Sequence, residues 1–420
     1  MLPLPTAPPD WNHPLDSAPE RCEVLVVGAG PAGSACARVL AQAGRQVLLV
    51  DAQSFPRDKV CGDGLVPDAH AALRRLGVHD RVMRRARPAA AAQCVAPSGR
   101  AIDVPGELAV LPRRDLDALL CEAAVESGAR MVAPARFVAP VHDGAGRVCG
   151  AQLAHAGQTR EILCDWLVLA TGAVPAATLA AGLCERRTPS AMALRAYVHH
   201  PTFGGAVPNP RFVWHRRMPG GYGWIFPAPD GVFNIGVGLL DSHGPPAHAS
   251  GGRTRKSPNL RTMLDQFIAV DPCARRLMQE GTALGEVKGA PLRCDLAGTR
   301  PSAAGVLVIG EAVGATYALT GEGIGKALET GIAAAESLLA GRTDTAVQGA
   351  YAAQLQALKP RFDMYRKAGG FNRHPMLVSL VIWRASHSAR MISRLSDILN
   401  ERRLPGSLLS WRGLRSMLRG

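Results

Sequence analysis

The sequence predicts an α/β fold of two lobes followed by a helical C-terminal region. Three observations carry this expectation. A glycine turn links a short apolar run to a helix near residue 28, and a second strand–loop–helix returns near residue 305. Between them lies a stretch of short β-rich segments broken by Gly and Pro. A chain of 420 residues exceeds what one small core supports. The expected division is a disordered lead-in at 1–21, an α/β lobe in two pieces at 22–185 and 291–342, an antiparallel-sheet lobe at 186–290, and a helical basic region at 343–420.

The elements follow in order. The first twenty residues hold six prolines and no apolar stretch of signal-peptide type, hence the disordered lead-in. Glu23–Val27 reads as a buried parallel strand, Gly28–Gly33 as a turn, and Ala32–Ala43 as a helix stopped by Gly44. Val47–Val50 is the next strand and runs into Asp51, completing a βαβ opening of the usual length of about 30 residues. Ala191–Val198, Arg211–Arg217, Tyr222–Phe226 and Val232–Leu239 are the strands of the second lobe. Asp241–Asn259 is a low-complexity, mobile loop. Gly305–Ile309 is a strand, Gly323–Ala340 a helix, and the chain after Tyr351 is mostly helical.

Charge is unevenly spread. The formal net charge is +14, yet only six of the 48 basic residues are lysine, and from Thr343 onward thirteen Lys/Arg face four Asp/Glu. No nucleic-acid-binding signature accompanies this basic end, so no nucleic-acid partner is expected. The ten cysteines are scattered without C-x-x-C or zinc spacing and read as reduced thiols of a cytoplasmic protein, with no metal site. No run reaches the roughly 20 apolar residues that span a bilayer.

The segment VLVVGAGPAGSACA carries the first chemistry. Gly28 permits the tight turn, Gly30 lets backbone approach a pyrophosphate, and Gly33 lets helix and strand pack closely. Pro31 and Ala32 open a helix whose free N–H groups and positive dipole end face the phosphates. Asp51, 23 residues past Gly28, suits an adenosine ribose. This is a Rossmann-type dinucleotide site, open so far to NAD or FAD.

Three further segments favour FAD. In GEAVGATYALTGEGIGKALETG (Gly310–Gly331), Glu311 could hold ribityl hydroxyls. Gly321 and Gly323 give close approach, and the helix N-terminus at Ile324 stabilises negative charge on a reduced flavin. In LPRRDLDALL, Arg113 before a helix could contact the cofactor or be a surface charge. The third segment is FPRDKVCGDGL, Phe55–Leu65.

Together these segments resemble the geranylgeranyl reductase family, within the flavoproteins related to para-hydroxybenzoate hydroxylase and the flavin-dependent halogenases. The resemblance runs from about Cys22 to Leu339. It rests on the glycine turn, on P-R-x-K-x-C-G-x-G (Pro56, Arg57, Lys59, Cys61, Gly62, Gly64), on the arginine before a leucine-rich helix, on Y-x-W-x-F-P (Tyr222, Trp224, Phe226, Pro227), and on T-G-E-G-I (Thr320–Ile324). It implies FAD, a discontinuous Rossmann-type FAD-binding lobe with a β-rich substrate lobe, and reduction of carbon–carbon double bonds in an isoprenoid or other hydrophobic, lipid-like substrate. It also implies that Cys61 and Gly62 lie near flavin and substrate, and that Tyr222 and Trp224 face the cavity beside the flavin. Their alternation along a strand puts both on one face. An inert buried thiol, a loop charge at Lys59 and aromatic packing between lobes are the alternatives.

The expected mechanism is hydride transfer from reduced FAD to one alkene carbon and a proton to the other, with Cys61 and Tyr222 as candidate proton donors. Three positions depart from the family pattern: Glu311 stands for the usual Asp, Ala318 for a Pro, and Thr171 for the Asp of A-D-G. The last leaves the electron donor open between NAD(P)H and ferredoxin. A flavin monooxygenase or halogenase is the rival reading, and a non-catalytic lipid carrier a third. In LLSWRGLRSMLR (Leu408–Arg419), a Trp–Leu–Met side lies beside an arginine stripe. Such a helix either packs on the protein or contacts an anionic membrane peripherally, on its inner face.

Overall fold

A computed structural model describes residues 10–240 and 259–403. The expected mobile loop, apart from Asn259, and the Leu408–Arg419 stripe lie outside the described residues.

The first sheet runs in the order Ser302–Ala303, Val306–Val308, Gln158–Leu169, Arg21–Val27, Val47–Val50, Arg130–Val132. The pairings from Val306–Val308 across to Arg130–Val132 are parallel. Val24–Val27, Val47–Val50 and Leu167–Leu169 are continuously apolar and almost fully buried. This is the signature of a sheet covered on both faces. Two antiparallel strands, Arg136–His142 and Val148–His155, extend it beside Gln158–Leu169. The helix Pro31–Gln42 starts with proline at its first turn, where no N–H is needed. It meets the helix Ile324–Ala340 so closely that a Cβ on Gly331 would sit 2.2 Å from the carbonyl oxygen of Ala32.

The second sheet is built on the antiparallel set Ala191–His199, Val232–Leu240, Gly221–Pro227 and Arg211–Val213. Along Gly221–Pro227 the period of two separates two environments. Gly221, Gly223 and Ile225 face the helix Leu260–Val270, and a Cβ on Gly223 would lie 2.5 Å from the Phe267 ring. Tyr222, Trp224 and Phe226 face the other way.

Two features differ from the sequence reading. The second sheet takes three strands from well before residue 186: Gly64–Leu65, Arg87–Val95 and Ala101–Val110. Arg87–Val95 is dominated by alanine and Gly64–Leu65 is too short to show a pattern, while the alternation of Ile102 and Val104 in Ala101–Val110 was the available signal. The lead-in is ordered from about His13. The His13 amide donates to the Met131 carbonyl, residue 13 bridges Val132 at the edge of the first sheet, and Leu15 is buried. Proline content argues against helix there but leaves an extended segment free to pair.

The C-terminal region holds the helices Asp344–Gly369, Pro375–Ala385 and Ala389–Leu399. Tyr351 and Phe362 of the first pack into the main core. The other two cover the Arg87–Val110 hairpin through Val378, Ile382, Ala385 and Met391. Among the described residues no helix is long and apolar enough to cross a membrane.

Candidate active site

The glycine turn lies at the C-terminal end of the central strand Arg21–Val27. Gly28 has φ +103°, and a Cβ there would meet the Ala170 carbonyl oxygen at 2.4 Å. A Cβ on Gly33 would overlap the Gly28 carbonyl oxygen at 1.8 Å, so helix and turn cannot accept a side chain. Pro31 and Ala32 are buried beneath the turn, and the Ala29 amide donates to Asp51 Oδ2 at 2.9 Å.

Gly30 faces two guanidinium groups. A Cβ at this position would stand 3.6 Å from Arg113 Nη2 and 3.7 Å from Arg57 Nη2. Both arginines are held by Asp117, which is fully buried. Arg113 donates to its two oxygens at 2.6 and 2.8 Å, and Arg57 donates to Oδ2 at 3.0 Å. Arg57 also donates to both Asp51 oxygens, at 3.2 and 3.1 Å. The sequence reading gave no role to Arg57 or Asp117. The i,i+4 spacing of Arg113 and Asp117 on the helix Arg113–Glu126 was the available signal.

The second half of the site returns with the late strand. Gly310 has φ +63° and would meet the Ala32 Cβ at 2.7 Å, so the 3-10 turn Gly310–Val313 lies directly on the opening helix. Glu311 projects from it toward Lys59, at 4.0 Å. Gly321, at φ +70°, leaves 3.3 Å between a Cβ and the Tyr222 hydroxyl, which donates to the Thr320 carbonyl. Gly323 abuts Thr316 and caps the helix that begins at Ile324.

Between these halves the Cys61 loop lies flat on the aromatic row. Cβ atoms on Gly62 and Gly64 would come within 3.1 and 3.2 Å of the Phe226 ring. The rings of Tyr222, Trp224 and Phe226 follow one another at 6.3 Å spacings, and Trp214 extends the row 5.7 Å beyond Tyr222. Burial pushes the Cys61 thiol up, opposed by the Arg113 guanidinium. Burial also pushes the Tyr222 phenol up, so both groups keep their protons at neutral pH.

A buried polar network, absent from the sequence reading, fastens this loop to the second sheet. Asn234 donates to the Cys61 carbonyl at 2.7 Å and to Asp63 Oδ2 at 2.6 Å, and accepts from Trp224 Nε1 at 2.9 Å. Asp63 also accepts from the Tyr197 hydroxyl and the Arg113 amide. Arg195 stacks over Tyr197, 4.0 Å from the ring centroid, and donates to Asp58 and to the Lys59 carbonyl. Asp63 is fully buried at φ +67°, a conformation that residues with a side chain seldom adopt.

These groups suit a dinucleotide with a flavin. The turn is shaped so that a backbone, not a side chain, meets the ligand, and two arginines and a helix N-terminus answer the charge of a pyrophosphate. The buried Thr171 hydroxyl beside the turn has no partner among the described residues, which leaves a donor free for a ligand.

The two-sheet fold and this site define an FAD-dependent oxidoreductase. An FAD binding domain profile matches residues 21–198. Menaquinone reductase of Mycolicibacterium smegmatis is 35% identical over 341 residues, spanning 76% of this chain and 77% of that protein. Digeranylgeranylglycerophospholipid reductase 2 of Methanopyrus kandleri is 30% identical, spanning 75% of this chain and 76% of that protein. Among solved structures, a geranylgeranyl bacteriochlorophyll reductase-like protein of Thermoplasma acidophilum superposes with a TM-score of 0.65 at 21% identity, covering 95% of this chain and 96% of that one. The chain belongs to the geranylgeranyl reductase family of FAD-dependent oxidoreductases, and FAD is its cofactor.

Proposed function

We propose that the protein saturates a carbon–carbon double bond in the prenyl chain of a quinone or a similar isoprenoid lipid. The observation that carries this reading is the aromatic row, Trp214 to Phe226, lying against the Cys61 loop and the Thr320–Gly323 turn. It offers an apolar wall to a long isoprenoid chain at the site where flavin chemistry is expected. The similarity to a menaquinone reductase supports the substrate class.

FAD, when bound, supplies a hydride equivalent to the alkene. The chain's own residues do the rest. Asp51 takes the adenosine ribose. Arg57, Arg113 and the Gly28–Gly33 turn with Pro31 and Ala32 take the pyrophosphate. Gly310, Glu311 and Lys59 serve the ribityl chain. Gly321, Gly323 and the helix start at Ile324 stabilise charge on the flavin ring. Tyr222 and Trp224 align the alkene and keep water out, which for an unactivated double bond matters more than acid–base strength. Cys61 and Tyr222 stay protonated and are the candidate proton donors to the second carbon. The protein works in the cytoplasm, peripherally on the inner face of the membrane, with NAD(P)H or ferredoxin as electron donor.

The test is anaerobic. The holoenzyme is reduced with NADPH, or with reduced ferredoxin, and reoxidised with a prenylated quinone, and the product mass is read. A gain of two hydrogens that persists after the quinol is reoxidised to the quinone in air, and that maps to the prenyl chain on fragmentation, supports the reading. Substrate oxidation that requires oxygen would replace it with the monooxygenase reading, and absence of bound flavin would favour a carrier.

A further inference from the structure

We propose that the outer face of the helix Pro375–Ala385 docks on an anionic lipid bilayer and that its base opens onto the aromatic row. The second half of this proposal rests on the lipid-substrate reading above; the first does not.

The helix, PMLVSLVIWRA, is apolar on both faces. Val378, Ile382 and Ala385 turn inward onto Ile102 and Val104 of the hairpin. Met376, Leu380 and Trp383 fall at helical spacing on the opposite side, with Leu377 beside them. Met376 is 82% exposed and Trp383 48%, and together with Arg100 they border a shallow groove. A contiguous face of large apolar side chains on a soluble surface marks a contact site.

Charge identifies the partner. Between residues 373 and 403 there are six arginines and only two acids, Asp397 and Glu401. Glu401 is already engaged by Lys326 and Arg361. An exposed Trp with Met and Leu, with Arg100 at the groove and Arg384 next to the Trp in a basic stretch of chain, matches the interface of an anionic bilayer. A symmetric contact with a second copy would bring the same arginines together and is disfavoured by repulsion.

The position of the helix links this face to the site. Asn372, in the turn just before it, is buried and makes three hydrogen bonds. Trp214 Nε1 donates to its Oδ1 at 2.8 Å, its Nδ2 donates to the Leu319 carbonyl at 3.0 Å, and the Gly220 amide donates to its carbonyl at 3.2 Å. Leu319 leads directly into Thr320 and Gly321. The outermost ring of the aromatic row, the flavin-side turn and the base of the helix are therefore one hydrogen-bonded unit. Met376, the most exposed apolar residue of the face, lies at the same end of the helix as this unit, four residues after Asn372.

The test uses flotation of the full-length holoprotein with phosphatidylcholine vesicles, with and without phosphatidylglycerol. It compares the double variant Met376→Ser/Trp383→Ser and a chain ending at Arg403. Flavin content and melting temperature verify that each variant is folded. The expected result is flotation with the anionic vesicles, a drop of about fivefold or more in the double variant, and retained binding in the chain ending at Arg403. Equal flotation of the double variant and wild type overturns the proposal. So does failure of the wild type to float, or a concentration-dependent dimer that the double variant abolishes. Activity separates the two halves. The double variant should keep its rate on a detergent-dispersed substrate and lose it on one embedded in vesicles. If flotation behaves as expected and no prenyl chain is reduced by any form, the docking surface stands and the functional reading fails.

Discussion

The Tyr197 hydroxyl donates to the carboxylate of Asp63, which lies 134 residues earlier in the Cys61 loop. The bond joins the loop to the second sheet, and it makes Asp63 a pH-sensitive fastener. Burial pushes the Asp63 carboxyl from 3.8 up to about 6, against the opposing donors. A raised acid favours its protonated form in the fold. Its contribution to stability is complete below the unfolded value near 4 and is lost as pH rises through 6. The difference amounts to on the order of 3 kcal/mol. Asp63→Asn should therefore flatten the fall in melting temperature between pH 4 and 6. Melting curves at half-unit intervals check this, and parallel slopes for variant and wild type would sink it.

Asp117 carries both guanidinium groups at the glycine turn, so its removal leaves Arg113 buried and unpaired. Asp117→Ala should cost about 3–5 kcal/mol in the apoprotein. Adding FAD should then raise the melting temperature of the variant more than that of the wild type, because a pyrophosphate supplies the missing anion. Calorimetry with and without FAD measures both effects. An equal gain in the two proteins would show that the arginines do not face the phosphates.

Much of the first lobe was legible because its signals are local. Gly28, Gly33 and Asp51 lie within a few dozen residues and follow a fixed geometric logic, and the alternation of Tyr222 and Trp224 gave their common face. The network around Asp63 was not legible. Its members, Asp63, Tyr197, Trp224 and Asn234, are polar or aromatic residues on separate elements, and nothing local distinguishes a buried aspartate between two glycines from a loop turn. Arg57 and Asp117 were hidden for a related reason: an arginine in a loop and an aspartate on a helix read as solvated until a third element buries them. Of the three strands between Gly64 and Val110 that complete the second sheet, one is masked by its alanines and one by its length, and the Ile102–Val104 alternation of the third is cut short by Pro105 and Gly106.

Gly30 separates cofactor binding from folding. Its φ of −76° is ordinary for any residue, and a Cβ there makes only van der Waals contact, at 3.6 and 3.7 Å, with the ends of two arginines. Gly30→Val should fold with a near-normal apoprotein melting temperature. It should lose about tenfold or more in FAD affinity, equivalent to roughly 1.4 kcal/mol. Fluorescence titration of the apoprotein with FAD reads this. Unchanged affinity would remove the turn from the phosphate site. Gly33→Ala is the contrasting case, since its Cβ would collide with backbone at 1.8 Å and should compromise folding itself.

Lys326 sits in the first turn of the Ile324–Ala340 helix, 1% exposed, with carboxylates of Asp68, Glu329 and Glu401 at 3.3, 3.0 and 3.1 Å. Glu322, just before that helix, is held well above the ordinary carboxylate range, chiefly by burial and then by Asp68. With Arg361, which also holds Glu401, the lysine allows these acids to share one pocket beneath the Thr320–Gly323 turn. Lys326→Met keeps the stem's volume and removes the charge, leaving Asp68 and Glu329 without their cation and Glu401 with Arg361 alone. At pH 8 the variant should lose about 3–5 kcal/mol, the usual result of breaking a buried ion pair on one side. The deficit has a definite sign with pH. The Lys326 charge opposes the rise at Glu322, so without it Glu322 binds its proton more readily still in the fold than in the unfolded chain, and the variant regains stability as pH falls. The gap in melting temperature between variant and wild type should narrow steadily from pH 8 to pH 5. A gap that stays constant over that range would mean the lysine acts by packing alone, and the acids around it would then need another source of compensation.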